Sequence, residues 1–425
     1  MQKSKSSAKS TSRPCAVDYR FYRDEQIYAA EQARVFRGPV WSYLGLEAEV
    51  PEPGDYKSSH IGEMPVVLTR DRDGSLGAWV NRCAHKGAQV CRAARGKIKD
   101  GVFVCVYHQW AYDAKGNLVG VPFRRGLKGT GGYAPDFEFK AHGLIKLRVA
   151  SLNGMVFATF SARAPRLEDF LGETMCANIR RVFQRPVRVL GYAHQRMRGN
   201  WKLYSENSRD SYHGGLLHLF YPTFGIYRQS QESWGEVDTC GYHNLFSVFI
   251  PRNTVHYETY KSEANREMGG GSETLQDSRV VEFRPEFDDR IALSIQSLFP
   301  SVVLQQIQNT LATRQVLPRG VGETELVWTY FGFTTDDADM TQHRLRNMNL
   351  VGPAGFISME DGEAVELCQR GIAGSDGASS FIEMSGTEVV DRVQPIGVDE
   401  NAVRGFWKGY FTLMDDVTIG KGGEP

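Results

Sequence analysis

The sequence predicts an α+β protein, with a small all-β domain inserted ahead of a larger domain of antiparallel sheet and helices. Three observations predict it. Between Trp41 and about Phe160, short β-branched and aromatic runs (MPVVLTR, LGAWVN, GVFVCVY, GNLVGVP, GMVFATF) alternate with Gly, Asp and Asn turns. Beyond Val187, longer strand-like runs (GYAHQRMRGN, CGYHNLFSVFI, RIALSIQSLFPSVVLQQIQ, LVWTYFGFTT) are joined by helical patterns such as DMTQHRLRNMNLV and the segment around Glu363 to Cys368. Ahead of both, YRDEQIYAAEQARVF has helical apolar spacing.

In chain order, residues 1–20 open as MQKSKSSAKSTSRP and read as a disordered polar tail, without the apolar centre of a signal peptide. Residues 21–40 read as an N-terminal helix packing on the larger domain, and residues 41–162 as the β domain. The segment SARAPRLEDFLGE is a linker into a helix, because Pro165 cannot sit deep inside one. Residues 163–425 form the larger domain, with KSEANREMGGGSE (Lys261 to Glu273) as an exposed loop.

The 425 residues allow a large core and two or three domains. Lys+Arg and Asp+Glu both total 50, so no net field favours nucleic acid or an anionic membrane. No apolar run approaches a membrane span, and the expected address is cytoplasmic. The seven cysteines are odd in number and dispersed, which argues against a disulfide framework and leaves some free to bind metal.

The β domain carries CAHKGAQVCRAARGKIKDGVFVCVYHQW. Cys83 and His85 form a C-x-H pair; Cys105 and His108 form a C-x2-H pair. Each pair follows a predicted strand, and a β-hairpin would bring the two loops together. Zinc fingers group Cys with Cys and His with His. Here each loop carries one of each, as a Rieske [2Fe–2S] centre requires: two Cys hold one iron and two His the other. A structural Cys2His2 zinc protein and a bare electron-transfer protein are the competing readings. Cys91 reads as a buried apolar residue.

A second constellation lies in GNWKLYSENSRDSYHGGLLH. His213 and His218 stand five residues apart, which on a regular helix turns the side chains about 140° from one another. Gly214 and Gly215 suggest a break that turns both imidazoles to one point. Fe(II) that binds oxygen takes two His and one carboxylate. Asp361, in GPAGFISMEDGEAVE, is the candidate third ligand, with Glu360, Glu363 and Glu366 as rivals. Asp210 precedes His213 by one turn and can fix its tautomer. His142, His194, His243, His256 and His343 read as ordinary histidines.

At these residues the chain resembles the large (alpha) subunits of Rieske non-haem iron aromatic-ring-hydroxylating oxygenases. The resemblance implies a [2Fe–2S] cluster on Cys83, His85, Cys105 and His108, and one mononuclear Fe(II) on His213, His218 and Asp361. It implies a helix-grip catalytic domain and a catalytic bridging role for Asp210, toward His108 of the partner subunit in a head-to-tail trimer (α3, or α3β3 with a small beta subunit). Electrons would come from NAD(P)H through a reductase and a ferredoxin, then pass by His108, Asp210 and His213. Val106, Gln109 and Lys86 depart from the family's usual Pro, Gly and Arg. WSYLGLEAEVPEPGDYK, GVPFRRG and the YH-x2-LLH form look most similar to salicylate 5-hydroxylase large subunits and their anthranilate and 2-halobenzoate dioxygenase relatives. This implies O2 and an ortho-substituted benzoate as substrates: salicylate giving gentisate first, anthranilate (or a 2-halobenzoate) giving catechol second. Gln305, Gln306, Gln308, Asn309 and Arg314 are candidates to hold the carboxylate.

Overall fold

The computed structural model describes residues 13–415 except 225, 228, 230, 251–274, 392–393 and 396–397. His256, the loop Lys261–Glu273 and the first part of the polar tail lie outside the described residues. The chain forms two units, residues 36–170 and residues 1–35 with 171–425. The dividing points lie near, not at, the expected 41 and 162.

The first unit holds ten strands: β1 (Ser42–Leu46), β2 (Asp55–Ile61), β3 (Met64–Arg70), β4 (Leu76–Val80), β5 (Arg95–Lys97), β6 (Phe103–Val104), β7 (Ala111–Tyr112), β8 (Leu118–Gly120), β9 (Lys146–Leu152) and β10 (Met155–Thr159). They form a sheet of order β1-β10-β9-β4-β3-β2-β5 and a small sheet β6-β7-β8. Trp79, Trp110, Tyr112 and Phe103 fill one core, with Cys83, Cys91 and Cys105 among them. Cys91 is thus a buried core residue, its thiol pushed up by that burial.

The second unit is built on one antiparallel sheet of order β11-β17-β16-β15-β14-β13-β12-β18. Its strands are β11 (Val187–Met197), β12 (Ser233–Val237), β13 (His243–Phe249), β14 (Ile291–Leu298), β15 (Val302–Ile307), β16 (Thr310–Pro318), β17 (Thr324–Phe333) and β18 (Gln394–Pro395). From β12 to β17, successive strands pair with their neighbours, so each hairpin fixes the next register. β15 and β16 are buried along their whole length. Polar side chains of both therefore need partners.

Helices cover this sheet: α1 (Glu25–Arg34), α2 (Glu173–Val182), α3 (Trp201–Asn207), α4 (Gly214–Leu217), α5 (Ala338–Val351), α6 (Phe356–Ile372) and α7 (Asn401–Met414). Asp24 caps α1 by accepting from Gln26 and Ile27 amides, and Asp337 caps α5 through Met340. The carboxylate of Glu31 on α1 is fully buried; it accepts from Lys202 Nζ (2.6 Å), Trp201 Nε1 (2.7 Å) and Tyr410 OH (2.5 Å). This cluster joins α1, α3 and α7, so the N-terminal helix packs on the larger unit.

The polar tail is shorter than 1–20. Cys15 and Val17 are buried, and their carbonyls accept from Ile382 N (3.0 Å) and Ser380 N (2.9 Å). The apolar residues of CAVDYRFY supply burial that the Lys/Ser-rich opening does not.

Candidate active site

The two loops of the first unit come from different sheets, not from one hairpin. Cys83 and His85 lie in the turn after β4, closed by Gly87 N to Cys83 O (3.0 Å) and Cys83 N to Ala88 O (2.8 Å), with Gly87 at φ 76°. Cys105 and His108 sit at the tip of the β6–β7 hairpin, closed by Cys105 N to Trp110 O (2.9 Å) and Gln109 N to Cys105 O (2.8 Å). Asn81 fixes the first loop: its Oδ1 accepts from the Val90 and Cys91 amides and its Nδ2 donates to Cys91 O (2.7 Å).

The cysteines point inward and the histidines outward. Cys83 and Cys105 are buried, and Cys83 Sγ is 3.3 Å from Tyr112 OH. Burial, then Cys83, pushes the Cys105 thiol up. His85 Nδ1 and His108 Nδ1 face each other at 3.1 Å, with the His85 ring stacked on Trp110 at 5.0 Å. Burial, then His108, draws the His85 imidazole down. Two buried sulfurs and two facing Nδ1 atoms fit a cluster with one iron inside and one near the surface.

In the second unit, α3 ends at Asn207 and a bend carries the chain to α4, flanked by His213 and His218. The convergence predicted for the two histidines is present: their rings are 5.2 Å apart. Its cause differs. Neither Gly214 nor Gly215 has a positive φ. The turn is made at His218 (φ −90°, ψ 67°), which ends α4. Gly215 instead brings its amide to Gln229 Oε1 (3.2 Å).

His213, His218 and Asp361 offer donor atoms that all lie within 4.8 Å of one another. Asp361 Oδ1 is 3.5 Å from His213 Nε2 and 3.2 Å from His218 Nε2, and it accepts from Asn207 Nδ2 at 3.0 Å. Burial works against the charge on Asp361, but hydrogen bonds to both histidines hold its carboxyl well below the usual range. Burial likewise opposes the His213 charge; Asp210 and Asp361 outweigh it and hold the imidazole up to about 10. The far nitrogens are also held: His213 Nδ1 by Asp210 (3.2 Å) and His218 Nδ1 by Glu360 (2.7 Å). Each imidazole thus keeps Nε2 turned inward, the arrangement a metal needs.

Two of the three rivals for the third position are engaged elsewhere. Glu360 faces the outer nitrogen of His218, and Glu366 accepts from the Arg198 amide (3.1 Å). Sequence reasoning missed the orienting position of Glu360 and the contact of Asn207. Helix spacing alone shows that Glu360 and Asp361 are neighbours, not that one carboxylate meets each side of the same imidazole.

Beside this trio lies a cavity of about 90 Å³, open to solvent, lined by Tyr221, Phe246, Leu293, Ile295, Ile307 and Ile357, with Arg314 among them. Of the five carboxylate-holding candidates, only Arg314 lines it. Gln306 is taken by Arg181 and Ile291 O, Gln308 by Val281 O, and Asn309 by Arg284, Glu286 and His343. Burial opposes the Arg314 charge, but Tyr204 and Asp361 outweigh it and the guanidinium stays charged.

The Rieske [2Fe-2S] domain family matches residues 40–131, and the catalytic domain family of ring hydroxylating alpha subunits matches residues 184–416. The chain belongs to the ring-hydroxylating oxygenase alpha subunits. It is 46% identical over 402 residues to the anthranilate 1,2-dioxygenase large subunit of Burkholderia cepacia, covering 94% of this chain and 93% of that one. It is 44% identical to a terephthalate 1,2-dioxygenase terminal oxygenase component, subunit alpha 2, of Comamonas sp. (93% and 94% covered). It is 40% identical to the large oxygenase component of salicylate 5-hydroxylase of Ralstonia sp. (94% of each). The fold matches naphthalene 1,2-dioxygenase from Rhodococcus sp. bound to indole, with TM-score 0.77 and 22% identity over 94% of each chain.

The protein is therefore a terminal oxygenase alpha subunit of the anthranilate, terephthalate and salicylate type, with a Rieske [2Fe–2S] domain and a mononuclear iron domain. Members of the family work with a reductase and ferredoxin. The zinc-protein and bare electron-carrier readings fall with this membership. Among the described residues, no helix is long and apolar enough to cross a membrane.

Proposed function

We propose that this subunit hydroxylates an aromatic carboxylic acid with an ortho amino or hydroxyl group, holding the carboxylate on Arg314 beside a mononuclear iron on His213, His218 and Asp361. The observation that carries the reading is one cavity that holds the carboxylate–imidazole trio, an apolar wall and a buried guanidinium. We assign Cys83, Cys105, His85 and His108 to the cluster. When bound, the cluster supplies stored electrons and the mononuclear iron supplies dioxygen chemistry. Asp210 and Glu360 hold the Nδ1 protons of His213 and His218, leaving Nε2 free as donor. Arg314 orients the ring by a charge-assisted contact, and the aliphatic wall keeps water from the reacting edge. Asp210 is assigned the bridging role, toward His108 of the partner subunit in an α3 or α3β3 assembly.

Salicylate giving gentisate is the first reading. Anthranilate giving catechol is the second, favoured by the 46% relative against the 40% one. The ligand assignment is tested by metal analysis: about three irons per chain with acid-labile sulfide. His213→Ala should keep the cluster absorbance, lose about one iron and abolish hydroxylation. Retained product formation would remove the assignment.

A further inference from the structure

Strand register defines which side chains share the cavity's face of the sheet. Phe246 pairs with Ile295, Leu293 with Ile307, and Arg314 with Val303, so these residues share one face of β13 to β16. Phe246, Leu293, Ile295, Ile307 and Arg314 line the cavity. Gln305 does not itself line the cavity but belongs to the same face, opposite Ile295 on one neighbour and Ala312 on the other. Thr310 pairs with Ile307 and Trp328 with Arg314, so they belong to it too.

This face is unfinished in its hydrogen bonding. Gln305 is 0% exposed, yet among the described residues neither its amide oxygen nor its amide nitrogen has a partner. Thr310 Oγ1, Arg314 Nε and Trp328 Nε1 are buried and unpartnered in the same way. On the opposite face the glutamines are paired: Gln306 bonds Arg181 and Ile291 O, and Gln296 bonds Asn178 and Met175 O. Native proteins seldom leave buried amides unpaired. Orphaned groups gathered on one face, on the strands that wall a substrate cavity, point to a ligand that completes them.

We propose that Gln305 is a specificity-determining residue: with the carboxylate on Arg314, its amide hydrogen-bonds the amino or hydroxyl group on the adjacent ring carbon. The inference rests on the reading of Arg314 as the carboxylate anchor. Gln305 and Arg314 are diagonal neighbours on adjacent strands, so two long side chains can reach one edge of a ring. The small Ala312 opposite Gln305 leaves room between them. A primary amide both donates and accepts, which suits an amine or a hydroxyl; it offers little to a halogen and nothing to hydrogen. A site built to pair such a group rejects the analogue lacking it, because its own polar atoms are then left unpaired.

The test is calorimetric affinity of the iron-loaded protein for anthranilate, salicylate, 2-chlorobenzoate and benzoate. It compares wild type with Gln305→Leu, Gln305→Met and Arg314→Met, with iron content and cluster absorbance as the check on folding. Wild type should bind the amino and hydroxy acids roughly ten- to hundred-fold more tightly than benzoate. Gln305→Leu should remove most of that preference and leave benzoate nearly unchanged, while Arg314→Met weakens all four acids together. An unchanged preference in a Gln305 variant that keeps its metals overturns the assignment, as does a wild type with no preference over benzoate. Should neither variant load, the wild-type preference decides alone. If Arg314→Met changes none of the affinities, or no acid binds, the carboxylate reading fails and this inference with it.

Discussion

Glu206→Gln should raise the stability of the catalytic unit above neutral pH and leave it nearly unchanged near pH 5. Glu206 lies on α3; its Oε1 accepts from Tyr22 OH (2.5 Å) and Trp407 Nε1 (3.0 Å). Burial first, with Asp210 adding to it, raises the carboxyl from 4.5 to about 7 against the lowering effect of those hydrogen bonds and of Lys202. The folded-state value is raised, so the stability Glu206 contributes is complete below pH 4.5 and is lost as pH rises through about 7. At about 1.4 kcal/mol for each pH unit between the two values, the loss is roughly 3 kcal/mol at pH 8.5. Glutamine copies the protonated acid: it is uncharged and keeps the oxygen that Tyr22 and Trp407 reach. At roughly 2 °C for each kcal/mol, the variant should melt about 6 °C above wild type at pH 8.5, with the gap closing toward pH 5. Scanning fluorimetry of both proteins across that range measures it. A gap that does not vary with pH, or a variant less stable at pH 8.5, would refute the reasoning.

Two further outcomes follow from buried and strained groups. Lys202→Met strands the Glu31 carboxylate in a fully buried site and should lower the stability of the catalytic unit by roughly 3–5 kcal/mol, read as a drop in denaturant midpoint at pH 7.5. Gln109 holds φ 55°, in the left-handed region where glycine is at ease, so Gln109→Gly should stabilise the cluster domain by roughly 0.5–1 kcal/mol. Thermal loss of the cluster's visible absorbance should then come at higher temperature.

The Gln109 geometry also gives a physical reason for the glycine expected at that position: the loop needs a left-handed residue immediately after His108. Cys83, His85, Cys105 and His108 were legible in the sequence because chemistry demands mixed pairs at loop ends. His213 and His218 stand out in the sequence because Fe(II) that binds oxygen takes two His and one carboxylate, but their convergence comes from the turn at His218 and not from the glycines. The carboxylates were only half legible. Asp361 and Glu360 are adjacent in sequence, and which one meets Nε2 and which Nδ1 depends on how α6 is rotated against α4. The sheet face was not legible. β15 and β16 are buried on both faces, so polar residues on them lack the alternation that marks inside from outside, and only the register separates Arg314 and Gln305 from Gln306. The tail reads longer in the sequence than it is because charge and serine dominate its first residues, while CAVDYRFY pairs with residues 378–382 far along the chain.

The most direct test of the central claim is a single-turnover experiment. The iron-loaded, chemically reduced protein is exposed to isotopically labelled dioxygen with salicylate or anthranilate, and products are identified by mass spectrometry. The account predicts gentisate carrying one labelled oxygen, or catechol carrying two. Reduced protein with intact cluster absorbance and full iron that yields no ring-hydroxylated product from either acid would contradict it.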